Sequence, residues 1–525
     1  MVGCLSCDGR HRDARNWHCR LADDAVVTVS GAGDVDLNTL DDNGATNGVT
    51  VNATGLDGGL TATTGANTVS VNSGAGADTV TMGATVITAV NTGAGDDTVN
   101  LGANDQGSAG TNATIDGGDG TDTLGVTVAA NFDAATLAKA VNFETLALGG
   151  AAAGTYSMKD KGFTGVLVNA DTAADAVIVS GITNETLSFA DTGNANVALT
   201  TNHVTFALDD ATGTSDTMEI DITGAQSTAV SGHPGGAGTV ATTDDTNDLT
   251  LDEIVIASVE TITLDSNTHA DNVAGVSNVL TSLSTDAATL KVTGDHALTI
   301  TTFDTEAAGT DVSNITLTSI DASGSAGLIM GELASTQAIS ILGSESADTL
   351  IVGTAGSTIN GGQGGDSITS AAGASDTLIF DAGDAQIGFT DANTSGGFNE
   401  GEELHDTVVG FVSGEDTVDL GSFGFTGQLA SALAGPALTP AAALNLIDGT
   451  TSTIEGFFLD TGVQRGVATV SGDFDNIDGT ATADDGTNDT LIFIDTNGNG
   501  NLDVGTDDLV LLTGTATVAL ADLGF

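Results

Sequence analysis

The nonapeptide GGQGGDSIT, residues 361–369, sets the carboxylate of Asp366 among Gly361, Gly362, Gly364 and Gly365, with Ile368 two positions on. Glycine loses more backbone entropy on folding than any other residue, so a folded segment this rich in it needs a contact or ligand that offsets the loss. A carboxylate beside carbonyls that glycine leaves free to turn suits a hard, oxygen-seeking cation, and calcium tolerates such irregular ligand sets. Two further nonapeptides precede it, GSESADTLI (343–351) and VGTAGSTIN (352–360). Asp348 and Asp366 are therefore 18 residues apart, while Leu350, Ile359 and Ile368 recur every nine. A looser copy, GASDTLIF (373–380), carries Asp376 with a one-residue slip.

Similar units stand nearer the start: GAGADTVTM (74–82) with Asp78, GAGDDTVNL (93–101) with Asp97, and GGDGTDTLG (117–125) with Asp122. Their spacings of 19 and 25 residues depart from 18 and argue for individual turns rather than a regular ladder. A nine-residue unit with one aliphatic near its end specifies a turn and a short strand, and two units make one coil of a flattened helix. Aliphatic side chains then point inward in columns, and turns line two outer edges. Aspartates stacked coil on coil repel one another unless a cation lies between them, which gives Asp348 and Asp366 a shared calcium. The alternative is a set of glycine-rich turns without metal. The fold expected is all-β: parallel β-roll or β-helix (solenoid) segments with calcium-binding turns, plus a β-rich C-terminal cap.

These nonapeptides resemble the RTX repeat, Gly-Gly-x-Gly-x-Asp-x-aliphatic-x, a calcium-binding β-helix unit. The match is complete at 361–369; at 343–351, Ser344 and Ser346 stand where the repeat has its second and third glycines. The resemblance implies calcium at Asp348 and Asp366, with Gly343, Gly361 and Gly364 shaping the turns.

Composition agrees with a chain that needs counter-ions. Of 525 residues, 71 are Asp or Glu and 9 are Lys or Arg, for a net charge of -62, yet 40% are hydrophobic. Disorder requires high charge together with low hydrophobicity, and only the first condition holds. No basic stripe serves nucleic acid beyond residue 20. No run approaches the roughly 18 apolar residues of a membrane-spanning helix. Cys4, Cys7 and Cys19 fall in the first 20 residues. With His11 or His18 they suggest a zinc knuckle; the competing reading is that residues 1–22 do not belong to the fold. No apolar leader core is present there, so the general secretory route is not expected.

The chain divides into this anomalous segment (1–22), an N-terminal Gly/Asp-rich repeat block (23–130), a Thr/Val-rich strand-repeat region (131–340), the nonapeptide roll (341–380) and a C-terminal cap and secretion-signal region (381–525). In the middle region, VNFETLALGG (141–150) and IASVETITLDS (256–266) share a phrase, and NFDAATLAKAVNF (131–143) suits one short helix. Its Thr/Val strands are similar to those of type I-secreted bacterial S-layer proteins of the Caulobacter kind. HDTVVGFVSGEDTVDLGSF (405–423) and DTLIFIDTNGNGNLDVGTDDLVLLTG (489–514) resemble the C-terminal region of RTX exoproteins. That resemblance implies a cap, an uncleaved export signal ending in VALADLGF, and passage through a type I secretion machinery.

Asp495, Asn497 and Asn499 before Gly500 space oxygen ligands as an EF-hand-type loop does, but Thr506 stands where the bidentate Glu belongs, with Asp503 or Asp507 as substitutes. The other reading is a plain hairpin, since both Asn-Gly pairs favour primed turns. Enzyme motifs are absent. No His precedes a Glu, no Gly-x-Ser-x-Gly elbow occurs, and Lys139, Lys159, Lys161 and Lys291 lie outside any phosphate loop. His203, His233, His269, His296 and His405 read as surface residues. The function expected is non-enzymatic: a secreted, extracellular, calcium-dependent surface protein of a Gram-negative-type bacterium, S-layer-like or adhesin-like. Its partners would be calcium, copies of itself in a lattice, or a cell-surface polysaccharide. The alternatives are an RTX exoenzyme whose catalytic part is unrecognised or missing, and a passive calcium-binding export module.

Overall fold

The computed structural model describes residues 26–40, 48–65, 68–83, 89–101, 114–151, 154–169, 177–189, 203–223, 250–267, 277–304, 316–331, 333, 337–384, 388–389, 403–423, 430–431, 453–459, 466–472, 489–496, 506–515 and 517–524. The chain falls into two units. Met1–Gly213, Glu219–Ile254 and His269–Val276 form the first; Thr214–Met218, Val255–Thr268 and Ser277–Phe525 form the second. Their described parts are built mainly of short parallel strands, as the nine-residue period expects, with an antiparallel group added in the second unit. A parallel pair needs a crossover between its strands, and here the crossover is itself a strand of the other ladder flanked by two turns.

In the first unit, one ladder stacks Val49–Leu56, Thr68–Asn72, Ala89–Asn91 and Thr114–Asp116. The other stacks Leu60–Thr64, Thr79–Thr81, Thr98–Leu101, Thr123–Val128 and Thr145–Ala151. Within each of the unit's three-residue strands the central aliphatic is buried and the outer residues are half-buried or exposed, as in Thr79-Val80-Thr81 and Ala89-Val90-Asn91. Val80, Val99, Leu124 and Leu146 form one such inward column, all fully buried.

The ladder is regular despite the uneven aspartate spacing, which corrects the expectation of isolated turns. Val71 pairs with Val90 and Val90 with Ile115, while Val80 pairs with Val99 and Val99 with Leu124. Val71 to Val80, Val90 to Val99 and Ile115 to Leu124 are each nine residues. The aspartate-bearing turn therefore keeps a constant length, and the surplus residues fall on the opposite turn, between Val80 and Val90 and between Val99 and Ile115. Among the described residues the α-helix is Ala134–Leu137, a single turn capped by Asp133, whose carboxylate accepts the Thr136 N–H at 2.7 Å.

The second unit repeats the plan. Asn278–Thr285, Leu298–Asp304, Leu328–Met330, Thr349–Ile351, Ser367–Thr369 and Asp406–Val409 stack in one ladder. Thr289–Gly294, Ser319–Ser325, Ser340–Leu342, Thr358–Asn360, Thr377–Ile379 and Thr417–Asp419 stack in the other. The 343–380 block is thus a parallel β-roll, and the ladder runs on beyond it. Asp508–Thr513 then joins two arrangements: it pairs in parallel with Asp406–Val409 and antiparallel with Asp489–Asp495. Gly466–Gly472 and Thr453–Leu459 extend the antiparallel side as a β-rich cap. No helix among the described residues is long and apolar enough to cross a membrane.

Candidate metal centre

The turns put aspartates in vertical columns, each two residues before a buried aliphatic. In the first unit the backbone N–H of Asp78 donates to Asp97 Oδ1 at 2.7 Å, that of Asp97 to Asp122 Oδ1 at 2.8 Å, and that of Asp122 to Glu144 Oε2 at 2.8 Å. In the second unit the N–H of Asp348 donates to Asp366 Oδ1, and that of Asp366 to Asp406 Oδ1, both at 2.9 Å. A further column stands on the opposite turn: the Ser357 N–H donates to Asp376 Oδ1 at 2.7 Å and the Asp376 N–H to Asp416 Oδ1 at 2.9 Å. Asp348 and Asp366 are therefore neighbours in one column, as their spacing implied. Asp376 is not their companion, because its strand, Thr377–Ile379, pairs with Thr358–Asn360.

One oxygen of each carboxylate is held by the coil before it; the other differs from turn to turn. Oδ2 of Asp97, Asp122, Asp366, Asp376 and Asp406 is buried with no hydrogen-bond partner. Three others are satisfied: Oδ2 of Asp78 accepts the Gly74 N–H at 3.3 Å, that of Asp416 the Val412 N–H at 2.7 Å, and that of Asp348 the Ser344 N–H at 2.6 Å, with the Ser344 hydroxyl 3.1 Å away. At Asp348 the serine that replaces the repeat's glycine adds its hydroxyl to the carboxylate, whereas Asp366 Oδ2 in the complete nonapeptide has no partner. Burial raises the carboxyls of Asp78, Asp122, Asp348 and Asp376 above the ordinary aspartate range, and lifts Asp97 to about 7 and Asp366 to about 8. Neighbouring carboxylates add to the rise at Asp97 and Asp366, with backbone N–H groups opposing it.

The residues present fit a hard cation. An orphaned carboxylate oxygen inside a glycine turn is the donor a hard cation takes, and calcium would complete such a shell with backbone carbonyls and water. Among the described residues no three His, Cys, Asp or Glu side chains form a metal-holding group, so a cation held here would take much of its ligand set from carbonyls. Glycine is required here by contact. A Cβ at Gly361 would stand 2.0 Å from Asp366 Oδ2, and one at Gly343 would stand 1.9 Å from the Gly361 carbonyl oxygen. Gly364 adds a φ of +135°, which side chains rarely adopt. Gly361→Ala is therefore expected to displace the Asp366 carboxylate, lowering stability by about 1–3 kcal/mol and weakening calcium binding. Gly33→Ala, where a Cβ meets nothing within 4 Å, should do neither; urea unfolding with and without calcium compares them.

Asp406 and Asp416 belong to the columns although neither lies in a glycine nonapeptide. Their signal was the tripeptide Asp-Thr-Val at 406–408 and 416–418, matching Asp348-Thr349-Leu350. Glu144-Thr145-Leu146 continues the first-unit column by the same rule. Asp495 ends the strand Asp489–Asp495, which pairs antiparallel with Asp508–Thr513; residues 497–505 between them lie outside the described residues. Asn497 and Asn499 lie outside the described residues, as do Cys4, Cys7, Cys19, His233 and His269. Two histidines correct the surface assignment: His296 is 7% exposed and His405 8%. Both sit in turns of the stacked coils, His405 directly before Asp406, and neighbouring coils cover them. No protein-family model and no curated protein matches the chain.

Proposed function

We propose that the chain is a secreted, calcium-dependent structural protein of a bacterial cell surface, S-layer-like or adhesin-like, whose coils complete their folding when calcium reaches the carboxylate columns outside the cell. The observation that carries this reading is the stacking of buried aspartates, five of which (Asp97, Asp122, Asp366, Asp376 and Asp406) keep one oxygen without a partner, with close-packed glycines at turns such as Gly361. A buried, unpaired carboxylate is costly, and a divalent cation removes that cost at several coils at once. The strand ladders through the described parts of 131–340 support a structural rather than a catalytic role. Secretion by a type I machinery and assembly at the surface rest on the RTX-like nonapeptides and the S-layer-like strand phrases.

Replacing Asp348 and Asp366 together by Ala is expected to lower the bound calcium by at least one ion per chain in equilibrium dialysis. Unchanged stoichiometry would remove the nonapeptide assignment. Electron microscopy of the purified protein with added calcium tests the surface role: ordered sheets support a lattice, and monodisperse particles count against one.

A further inference from the structure

Asn360 closes the strand Thr358–Asn360 and precedes Gly361, the first residue of the complete nonapeptide. Around it in the same ladder, the residue after a strand donates its N–H to the next coil. The Gly343 N–H donates to the Asn360 carbonyl at 2.8 Å, that of Phe380 to the Asp419 carbonyl at 3.1 Å, and that of Leu420 to the Gly524 carbonyl at 2.8 Å. Gly361 lies between Gly343 and Phe380 in this stack, yet among the described residues its N–H has no hydrogen-bond acceptor. Gly361 is also buried, and a buried backbone N–H without a partner is rare. The amide of Asn360 next to it is held at both ends: Oδ1 accepts the Gly362 N–H at 2.8 Å, and Nδ2 donates to Asp381 Oδ2 at 3.0 Å.

The geometry points to Asn360–Gly361 as a site of spontaneous deamidation, a modification that places a new charge beside the nonapeptide turn. The Gly361 nitrogen attacks Asn360 Cγ, the bond from Cγ to Nδ2 breaks, and ammonia leaves with the proton that Gly361 gives up. Water then opens the resulting five-membered imide at either carbonyl, leaving aspartate or isoaspartate. Three features of the turn favour this course. A nitrogen that donates to a ladder carbonyl must break that bond before it can attack, and Gly361 has none to break. The Gly362 N–H lies on Oδ1, where negative charge builds as the new bond forms, and a donor already placed there stabilises it. Gly361 has no side chain to shield its nitrogen, and Asp366 keeps it so, because a Cβ there would stand 2.0 Å from Asp366 Oδ2. The glycine that the aspartate column requires thus leaves Asn360 open to attack. Either product replaces the amide donor to Asp381 by a second carboxylate, and isoaspartate also adds a carbon to the main chain. None of this depends on a bound metal.

The test incubates the full chain with calcium at pH 8, folded and in urea, and follows residue 360 by peptide mass spectrometry and by methyl transfer from an isoaspartyl methyltransferase. The folded chain is expected to convert Asn360 about as fast as the unfolded chain. A turn that had to open first would slow the reaction about tenfold for every 1.4 kcal/mol of opening. A lag of that size or more in the folded chain therefore overturns the proposal. Asn360→Gln, whose longer stem must close a six-membered ring, should keep its amide and abolish the signal; a signal that persists belongs to another residue and overturns the assignment. Asn360→Asp makes one product directly and is expected to lower the urea midpoint, because it sets a carboxylate against Asp381. An unchanged midpoint would show that charge at this position leaves the turn unaffected, and the modification would lose its structural consequence.

Discussion

Excess chelator is expected to move the urea midpoint of the chain sharply downward, or to abolish the folded baseline, at matched ionic strength. A ligand that binds only the folded state stabilises it by RT ln(1 + [L]/Kd), so calcium about 30-fold above a site's dissociation constant contributes about 2 kcal/mol. Affinities near 10⁻⁴ M, the tighter end for extracellular modules, reach that ratio at about 3 mM calcium. Three independent sites then supply about 6 kcal/mol, comparable with the whole net stability of an ordinary domain. The chain has little else to set against its charge: 9 basic residues face 71 acids, and the ion pair Lys159–Asp209, at 2.8 Å, lies on an exposed lysine. Ionic strength must be matched because monovalent salt also screens like-charge repulsion. A midpoint that chelator leaves in place would mean that the glycine turns are turns and nothing more.

The period of nine made the coils legible, because a turn, an aspartate and one aliphatic recur at the spacing a stacked strand needs. It hid the regularity of the first unit, since counting from Asp78 to Asp97 to Asp122 adds both turns of a coil, and only the turn opposite the aspartates varies. Asp406 was obscured for a related reason: the insertion after Phe380 breaks the count, although Asp-Thr-Val survives it. The difference between Asp348 and Asp366 lies at the level of single oxygens. Ser344 looks like a decayed glycine in the sequence, and only the folded turn shows its hydroxyl and N–H on the carboxylate. His405 reads as a polar turn residue, and stacking buries it, an outcome that depends on the coils above and below rather than on its neighbours in sequence.

In chelator, stability is expected to fall as pH rises from about 4 to about 8, the reverse of ordinary acid denaturation. An unfolded aspartate titrates near 3.9, whereas burial lifts Asp97 and Asp508 to about 7 and Asp366 to about 8. Between those limits the folded chain binds more protons than the unfolded chain, so the derivative of unfolding free energy with pH is negative. The stabilising protons are all present below the unfolded pKa and are lost as pH climbs through the folded values. Calcium should invert the trend, because the ion needs deprotonated carboxylates and binds more tightly as protons leave. The urea midpoints with and without calcium should therefore lie close together at pH 5 and far apart at pH 8. Self-repulsion across the surface also grows with pH, but salt screens that contribution far better than it screens buried groups. Replacing Asp97 and Asp366 by Asn separates the two, since the neutral amides cannot titrate; the chelated chain should then lose the part of its pH dependence that these two carboxyls carry while surface repulsion is barely altered. A chelated midpoint that rises with pH would show that these carboxyls are charged and satisfied without an ion, and the columns would lose their claim to calcium.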